Sequence, residues 1–308
     1  MKKTKYYIIG LGKISVGYDK HMSKKNTFFT HAKSIEANTS FELIGGTDIS
    51  KKKRDIFVNL YKKPVFKEIN EPLSTLKPTM IVLATPTETH IKCVKEIVKH
   101  KSVKFLICEK PLSFDLLESK QIIDICKENK IKLFVNYFRI SDPSTQKLKK
   151  IFLNKKNIFG TMFYSRGYFN NCSHFFNLFE HIFGNFQNGS IINKVKIYKK
   201  NDLSCNFYAK FDKATIFFIC KNDQFDQFKI NLYYGNNSIK YLNNGEKIFK
   251  INGTITKNEI KNSMHRYQMN VYDELSKYLL KKNFYLCSGK EALKTIENMY
   301  KVLYNEKI

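Results

Sequence analysis

Tyr6-Tyr7-Ile8-Ile9-Gly10-Leu11-Gly12-Lys13-Ile14-Ser15 begins as a short apolar run and breaks into a glycine turn. An uninterrupted apolar run is how a strand buried on both faces reads. Glycine suits a place where the backbone turns tightly or is approached closely. A strand that runs into Gly-x-Gly and then a helix is the pattern of a dinucleotide-binding turn, whose N–H groups meet a pyrophosphate. Gly10, Leu11, Gly12, Lys13 and Ile14 are the candidate cradle, and Ser15 is small enough for the third position. Taken alone, the motif serves equally well as a structural turn.

Its neighbours decide more. Residues 41–47, Phe-Glu-Leu-Ile-Gly-Gly-Thr, read as a second strand ending at Asp48, where an acid can accept from an adenosine ribose hydroxyl. Asp48 lies further along than the usual ~20 residues. The polar stretch 18–30 reads as an insertion that accounts for the difference. Lys51-Lys52-Lys53-Arg54 follows as a solvated helix face or a seat for a 2′-phosphate, so NAD is the expected cofactor with NADP as the alternative.

Residues 80–84 form a further strand, stopped by Thr85-Pro86-Thr87. Ile91, Val94, Ile97 and Val98 then recur at helical spacing, with Thr87 as N-cap. The apolar run 103–108 leads into Glu109-Lys110-Pro111. Proline disfavours helix at the residue before it, so Lys110 is expected extended at the carboxyl end of a strand, where open α/β sheets bind ligands. An ammonium held there clamps an oxygen-rich ligand or takes part in chemistry. Ser113 is placed as cap of a helix carrying Leu116, Ile122, Ile123 and Cys126, and 131–135 is the next strand. Strand and helix in alternation predict a parallel sheet covered on both faces.

After Gly160 the pattern changes. Strand-like stretches at 161–167, 191–198, 205–211, 214–220 and 228–234 carry little helix between them and are punctuated by Asn236-Asn237 and Asn243-Asn244-Gly245. Two helices close the chain, one with Met264, Val271, Leu275, Tyr278 and Leu279. The other opens on the capping box Ser288-Gly289-Lys290-Glu291 and buries Leu293, Ile296, Tyr300 and Leu303. The expected fold is an α/β Rossmann-type N-terminal domain, 1–138, followed by an α+β domain, 139–308, built on a mostly antiparallel sheet.

The 308 residues are ample for two domains, and no apolar run approaches the ~18 residues of a membrane span. The basic start, Met1 to Lys5, leads into a strand rather than a signal-peptide core, so cytoplasm is the expected compartment. Seven scattered cysteines with no C-x-x-C pair indicate neither a disulfide framework nor a metal site. The net charge of +27 is nearly all lysine; the arginines are Arg54, Arg139, Arg166 and Arg266. Base-reading proteins lean on the arginine fork, and these lysines are spread over every segment, so nucleic acid is not the expected partner. Small anionic ligands are favoured by such a field.

The glycine turn, Ala84-Thr85-Pro86-x-x-x-His90, Glu109-Lys110-Pro111 and the segment Asn170-Asn171-Cys172-Ser173-His174-Phe175-Phe176-Asn177-Leu178 stand in one order. Together they resemble the glucose–fructose oxidoreductase / inositol dehydrogenase (Gfo/Idh/MocA) family, most closely its members in surface-polysaccharide and nucleotide-sugar pathways. The resemblance implies an NAD(P)-dependent oxidoreductase acting on a sugar or nucleotide-sugar hydroxyl or ketone, and a homo-oligomer. It assigns catalysis to Lys110 and His174. Ala84, Thr85, Pro86, His90 and Glu109 would flank the cofactor. Arg139, Asn170, Asn171 and Asn177 would meet the substrate with Lys110 and His174. A histidine suits proton removal from an alcohol, and a nearby ammonium suits the oxygen left behind. The chain departs from the family at Asn177, often an aspartate, and at Cys172, commonly glycine. Those departures define the alternative, a cofactor-binding scaffold or sensor with impaired catalysis.

Overall fold

A computed structural model describes residues 3–19, 26–199, 202–221, 228–253 and 256–304; part of the expected insertion, residues 20–25, lies outside them. The strands are β1 (Thr4–Ile9), β2 (Phe41–Thr47), β3 (Val65–Phe66), β4 (Met80–Leu83), β5 (Phe105–Cys108), β6 (Lys132–Val135), β7 (Ile158–Tyr164), β8 (Phe186–Lys199), β9 (Asp202–Phe211), β10 (Ala214–Cys220), β11 (Lys229–Tyr234), β12 (Asn237–Leu242), β13 (Lys247–Asn252), β14 (Thr256–Glu259) and β15 (Cys287–Ser288). The helices are α1 (His31–Ala37), α2 (Lys51–Tyr61), α3 (Asn70–Leu76), α4 (His90–Ile97), α5 (Leu116–Glu128), α6 (Pro143–Ile151), α7 (Ser173–Phe183), α8 (Tyr267–Leu279) and α9 (Gly289–Tyr304).

Two compact units emerge, and neither is one continuous stretch: 1–141 with 265–293, and 142–264 with 294–308. The division expected after residue 138 falls within three residues of the first boundary. The closing segment is what differs, because α8 belongs to the first unit.

The reason lies in the first sheet. Its order is β15-β6-β5-β4-β1-β2-β3, with β1 to β6 parallel and β15 antiparallel at the edge. Alternate residues of one strand serve opposite faces, so both faces need apolar cover. Tyr7, Ile9, Ile81 and Leu83 pack with Val94 and Ile97 of α4 and Ile122 and Cys126 of α5. Tyr6, Ile8, Met80 and Val82 pack with Ala32 and Ile35 of α1, Phe57 of α2, and Val271, Tyr272 and Leu275 of α8. The stripe on α8 thus covers strands that ended more than a hundred residues earlier.

Local signals hold unevenly. The capping box at α9 forms, with the Ser288 hydroxyl and N–H both donating to Glu291. Asp115, not Ser113, caps α5 by accepting from the Glu118 N–H at 2.8 Å, while Ser113 donates to the Glu118 carboxylate. Thr87 begins a 3₁₀ turn, and α4 itself starts at His90. In place of the helix expected directly after the glycine turn stand a turn closed by Val16 N–H donating to Gly12 C=O and a 3₁₀ turn, Gly17–Asp19; α1 begins at His31.

In the second unit the sheet order is β14-β13-β12-β11-β7-β10-β9-β8, all pairs antiparallel except β7 with β10. One face packs on α7, where Phe176 meets Phe211 and Phe218, and Phe179 meets Phe218. The other face carries Phe159 and Tyr233, 48% and 46% exposed, with Phe217 beside Phe159.

Candidate active site at the carboxyl edge of the first sheet

Register brings the expected motifs into one row. Ile9 pairs with Thr47 and with Leu83, Leu83 with Cys108, and Cys108 with Val135. The residues that follow those strand ends are Gly10, Asp48, Ala84, Glu109 and Asn136. Backbone bonds continue the ladder one step past the strands: Gly10 N–H to Thr47 C=O, Ala84 to Ile9, Glu109 to Leu83 and Asn136 to Cys108, each 2.8–2.9 Å. Five residues drawn from positions 10 to 136 therefore line one edge, where ligands of open α/β sheets bind.

The two glycines of the turn do different work. Gly10 has φ +94°, and a Cβ there would stand 2.5 Å from the Ala84 carbonyl oxygen, so the close approach of β1 to β4 requires glycine. A Cβ at Gly12 would meet nothing within 4 Å. The turn is packed beneath Gly10 and open above Gly12, which fits a pyrophosphate against its backbone. Leu11 is buried, Lys13 exposed and Ile14 half-buried; Ser15 donates to the Gly10 carbonyl at 2.6 Å and tightens the turn.

Asp48 is buried, and its carboxylate ties the row together. It accepts from the Leu11 N–H and the Ser50 N–H, both at 2.8 Å, and from Lys53 Nζ at 3.3 Å. Arg54 donates to the Asp48 and Ile49 carbonyls. A carboxylate has about four acceptor positions, so a ribose hydroxyl still finds one. The brace from Asp48 to the glycine turn was not signalled by the motif spacing.

His90 differs from expectation. It is fully buried, with Nδ1 3.0 Å from the Leu112 carbonyl and Nε2 3.1 Å from the Thr85 carbonyl, and burial lowers its pKa. The ring is wedged between the Thr85-Pro86 turn and the segment after Pro111, with one N–H to give to either carbonyl, instead of presenting an atom to a ligand. Ala84 and Thr85 are half-buried and Pro86 is exposed, so these three still face the edge.

The Lys110–Pro111 peptide is cis, Lys110 is half-buried, and the Glu109 side chain turns inward. Its Oε1 accepts from His31 Nε2 at 2.9 Å and from Asn136 Nδ2 at 2.5 Å. Burial alone would raise the Glu109 carboxyl, but the His31 ring, the Asn136 amide and the Lys110 ammonium hold it below its ordinary value. A depressed carboxyl stabilises above its unfolded pKa of ~4.3 and loses that contribution as pH falls through the folded value. Arg139 is only 5% exposed, with its guanidinium 5.1 Å from the centre of the Phe138 ring, rather than open to a substrate.

The second unit holds the histidine segment. A π-helical turn, Gly167–Cys172, runs without interruption into α7, so Ser173 donates back to the Phe169 carbonyl at 2.6 Å and caps nothing. Cys172 is buried with φ −65°, so this position makes no demand for glycine. His174 is 8% exposed, and Asn170 and Asn171 are half-buried. Asn177 is buried and donates to Thr295 Oγ1 at 2.9 Å, which makes it a link between α7 and α9. The organiser that sequence reading missed is Asp202. At 2% exposure, it accepts from the Phe169 and Asn170 N–H groups at 2.8 and 2.9 Å. Asp202→Ala should cost the second unit about 3 kcal/mol, the scale of two hydrogen bonds to a buried charge, read as an earlier denaturant midpoint.

Among the described residues no group of three or more His, Cys, Asp or Glu could hold a metal ion, and no helix is long and apolar enough to cross a membrane.

Residues 4–137 match an oxidoreductase family with an NAD-binding Rossmann fold, GFO_IDH_MocA. The likeness to that family lies in this segment, under half of the chain, and the family's Rossmann fold binds NAD. The inositol 2-dehydrogenase of Rhizobium meliloti is 24% identical over 120 residues, 39% of this chain and 36% of that protein. The chain spans 21–39% of the length of the curated relatives it matches. The UDP-N-acetylglucosamine 3-dehydrogenase GnnA of Acidithiobacillus ferrooxidans superposes with TM-score 0.77 at 12% identity, over 98% of this chain and 97% of that one. The WlbA dehydrogenase of Bordetella pertussis, solved with NADH and UDP-GlcNAcA, gives 0.73 at 14%, over 99% and 96%. Identities this low show a shared fold across both units.

Proposed function

We propose that the protein is an NAD-dependent dehydrogenase that moves hydride between a sugar or nucleotide-sugar carbon and the nicotinamide, in the making of a surface polysaccharide. The observation that carries this most is the carboxyl-edge row, in which an open glycine turn, Asp48 and the Glu109-Lys110 pair belong to one sheet edge of an NAD-binding family. The bound cofactor supplies the hydride acceptor. Lys110 holds the reacting oxygen and stabilises charge that develops on it, and His174 takes the hydroxyl proton. Asn170 and Asn171, half-buried beside His174, are candidate contacts for sugar hydroxyls. UDP-N-acetylglucosamine and its uronic acid are favoured within that class, since solved proteins of the same fold are named for or bind them.

The second unit provides the substrate domain and, through the exposed aromatic face around Phe159 and Tyr233, the surface of a homo-oligomer. Seven buried free thiols suit a reducing cytoplasm. Following nicotinamide absorbance with UDP-N-acetylglucosamine, UDP-GlcNAcA and myo-inositol tests the activity. Asp48→Ala should weaken NAD more than NADP, because only NAD offers the free 2′-hydroxyl and because Lys53 is released for a phosphate. Equal loss for both, measured by titration, would remove Asp48 from the ribose.

A further inference from the structure

His31 lies outside every motif above, yet it is fully buried at the start of α1, against the residue next to Lys110. We propose that His31 is a positioning residue for Lys110, acting through a closed ring of hydrogen bonds that holds the Glu109 carboxylate behind it. The proposal rests on the role given to Lys110 above.

The ring is legible donor by donor. Gln268 Nε2, which can only donate, lies 3.0 Å from His31 Nδ1, and the Tyr272 hydroxyl lies 2.8 Å from the same nitrogen. His31 Nδ1 is therefore an acceptor, and the ring proton sits on Nε2, which donates to Glu109 Oε1 at 2.9 Å. Asn136 Nδ2 donates to Gln268 Oε1 at 3.1 Å and to the same Glu109 oxygen. Every amide is fixed, because turning either one would set two donors or two acceptors face to face. The cycle closes on one ionised carboxylate. Incomplete buried networks are costly, so the loss of any member falls on Glu109.

The ionisable groups facing Glu109 are His31 from α1, Cys108 and Lys110 from the end of β5, His90 from α4, and Tyr267 and Tyr272 from α8. Lys110 is the cation in that set that follows Glu109 directly in the chain and lowers its carboxyl by charge. With His31 gone, Glu109 loses one of its two donors in a buried site and takes up a proton. The Lys110 ammonium then lacks that neighbouring negative charge, and more of Lys110 stands as free amine at a given pH.

Competitive acetylation with acetic anhydride, read peptide by peptide in a mass spectrometer, reports this without a substrate. His31→Phe and Glu109→Gln should each raise the labelling rate of Lys110 about tenfold, as a pKa drop of about one unit does. The exposed Lys104, just before β5, and Lys132, at the start of β6, should not change. The double variant should label no faster than Glu109→Gln alone, because His31 acts through that carboxylate. A [15N]histidine spectrum should show the His31 ring protonated at Nε2. Unchanged Lys110 labelling in His31→Phe, or equal acceleration at all three lysines, overturns the inference. Full turnover in Lys110→Ala would instead overturn the role of Lys110 itself, whatever the labelling shows.

Discussion

Lys110→Ala lowers turnover by a hundredfold or more while affinity for NADH stays within about a factor of two; removing one preorganised donor to a developing oxyanion typically costs ~10²–10³ in kcat. The expectation follows from where the lysine stands. It is carried two residues past the end of β5, on the edge shared with the glycine turn, and its neighbour Glu109 is locked inward by His31 and Asn136. A lysine that only tethered cofactor phosphates would show the opposite division, with binding weakened and turnover at saturation kept. Stopped-flow turnover beside fluorescence titration of NADH separates the two. His174→Ala should give a comparable loss of turnover, and unchanged turnover in either variant removes that residue from the chemistry.

The second large effect divides the two glycines. Gly10→Ala should destabilise the first unit by about 2–4 kcal/mol, combining a strained positive φ with a Cβ driven into the Ala84 backbone. Gly12→Ala meets no atom, so the unfolding midpoint should stay within about 0.5 kcal/mol of the original, while NAD affinity falls tenfold or more. The outcome is read from denaturant unfolding and from titration of the same samples. Wild-type affinity in Gly12→Ala would mean that the pyrophosphate does not sit on this turn.

Much of the first sheet was legible because its signals are local. The second strand begins at Phe41 and ends at Thr47, and the run before Lys110 ends at Cys108, as the apolar pattern indicates. Two-residue strands such as β3 and β15 carry no period at all, so only pairing with β2 and β6 defines them. The return of α8 to the first sheet was hidden for a different reason. Its apolar stripe reads correctly as a helix, but a stripe does not say which surface it covers.

What escaped reading are polar contacts whose partners lie far apart in sequence. His31 meets Gln268 across 237 positions, Asp202 meets Phe169 across 33, and Asp48 meets Leu11 across 37. Such contacts leave no spacing to find. Conversely, His90 and Asn177 occupy positions that the resemblance assigns to ligands, yet their side chains reach the Leu112 carbonyl and Thr295. A motif match marks the place in the fold and leaves the direction of the side chain open.

The most direct test follows nicotinamide absorbance when the protein, with NAD, is given UDP-N-acetylglucosamine, UDP-GlcNAcA and myo-inositol in turn. Steady reduction of NAD with at least one of them, abolished by Lys110→Ala, is the result expected of a dehydrogenase. Tight binding of NADH with no turnover of any of the three would contradict it and leave a cofactor-binding scaffold in its place.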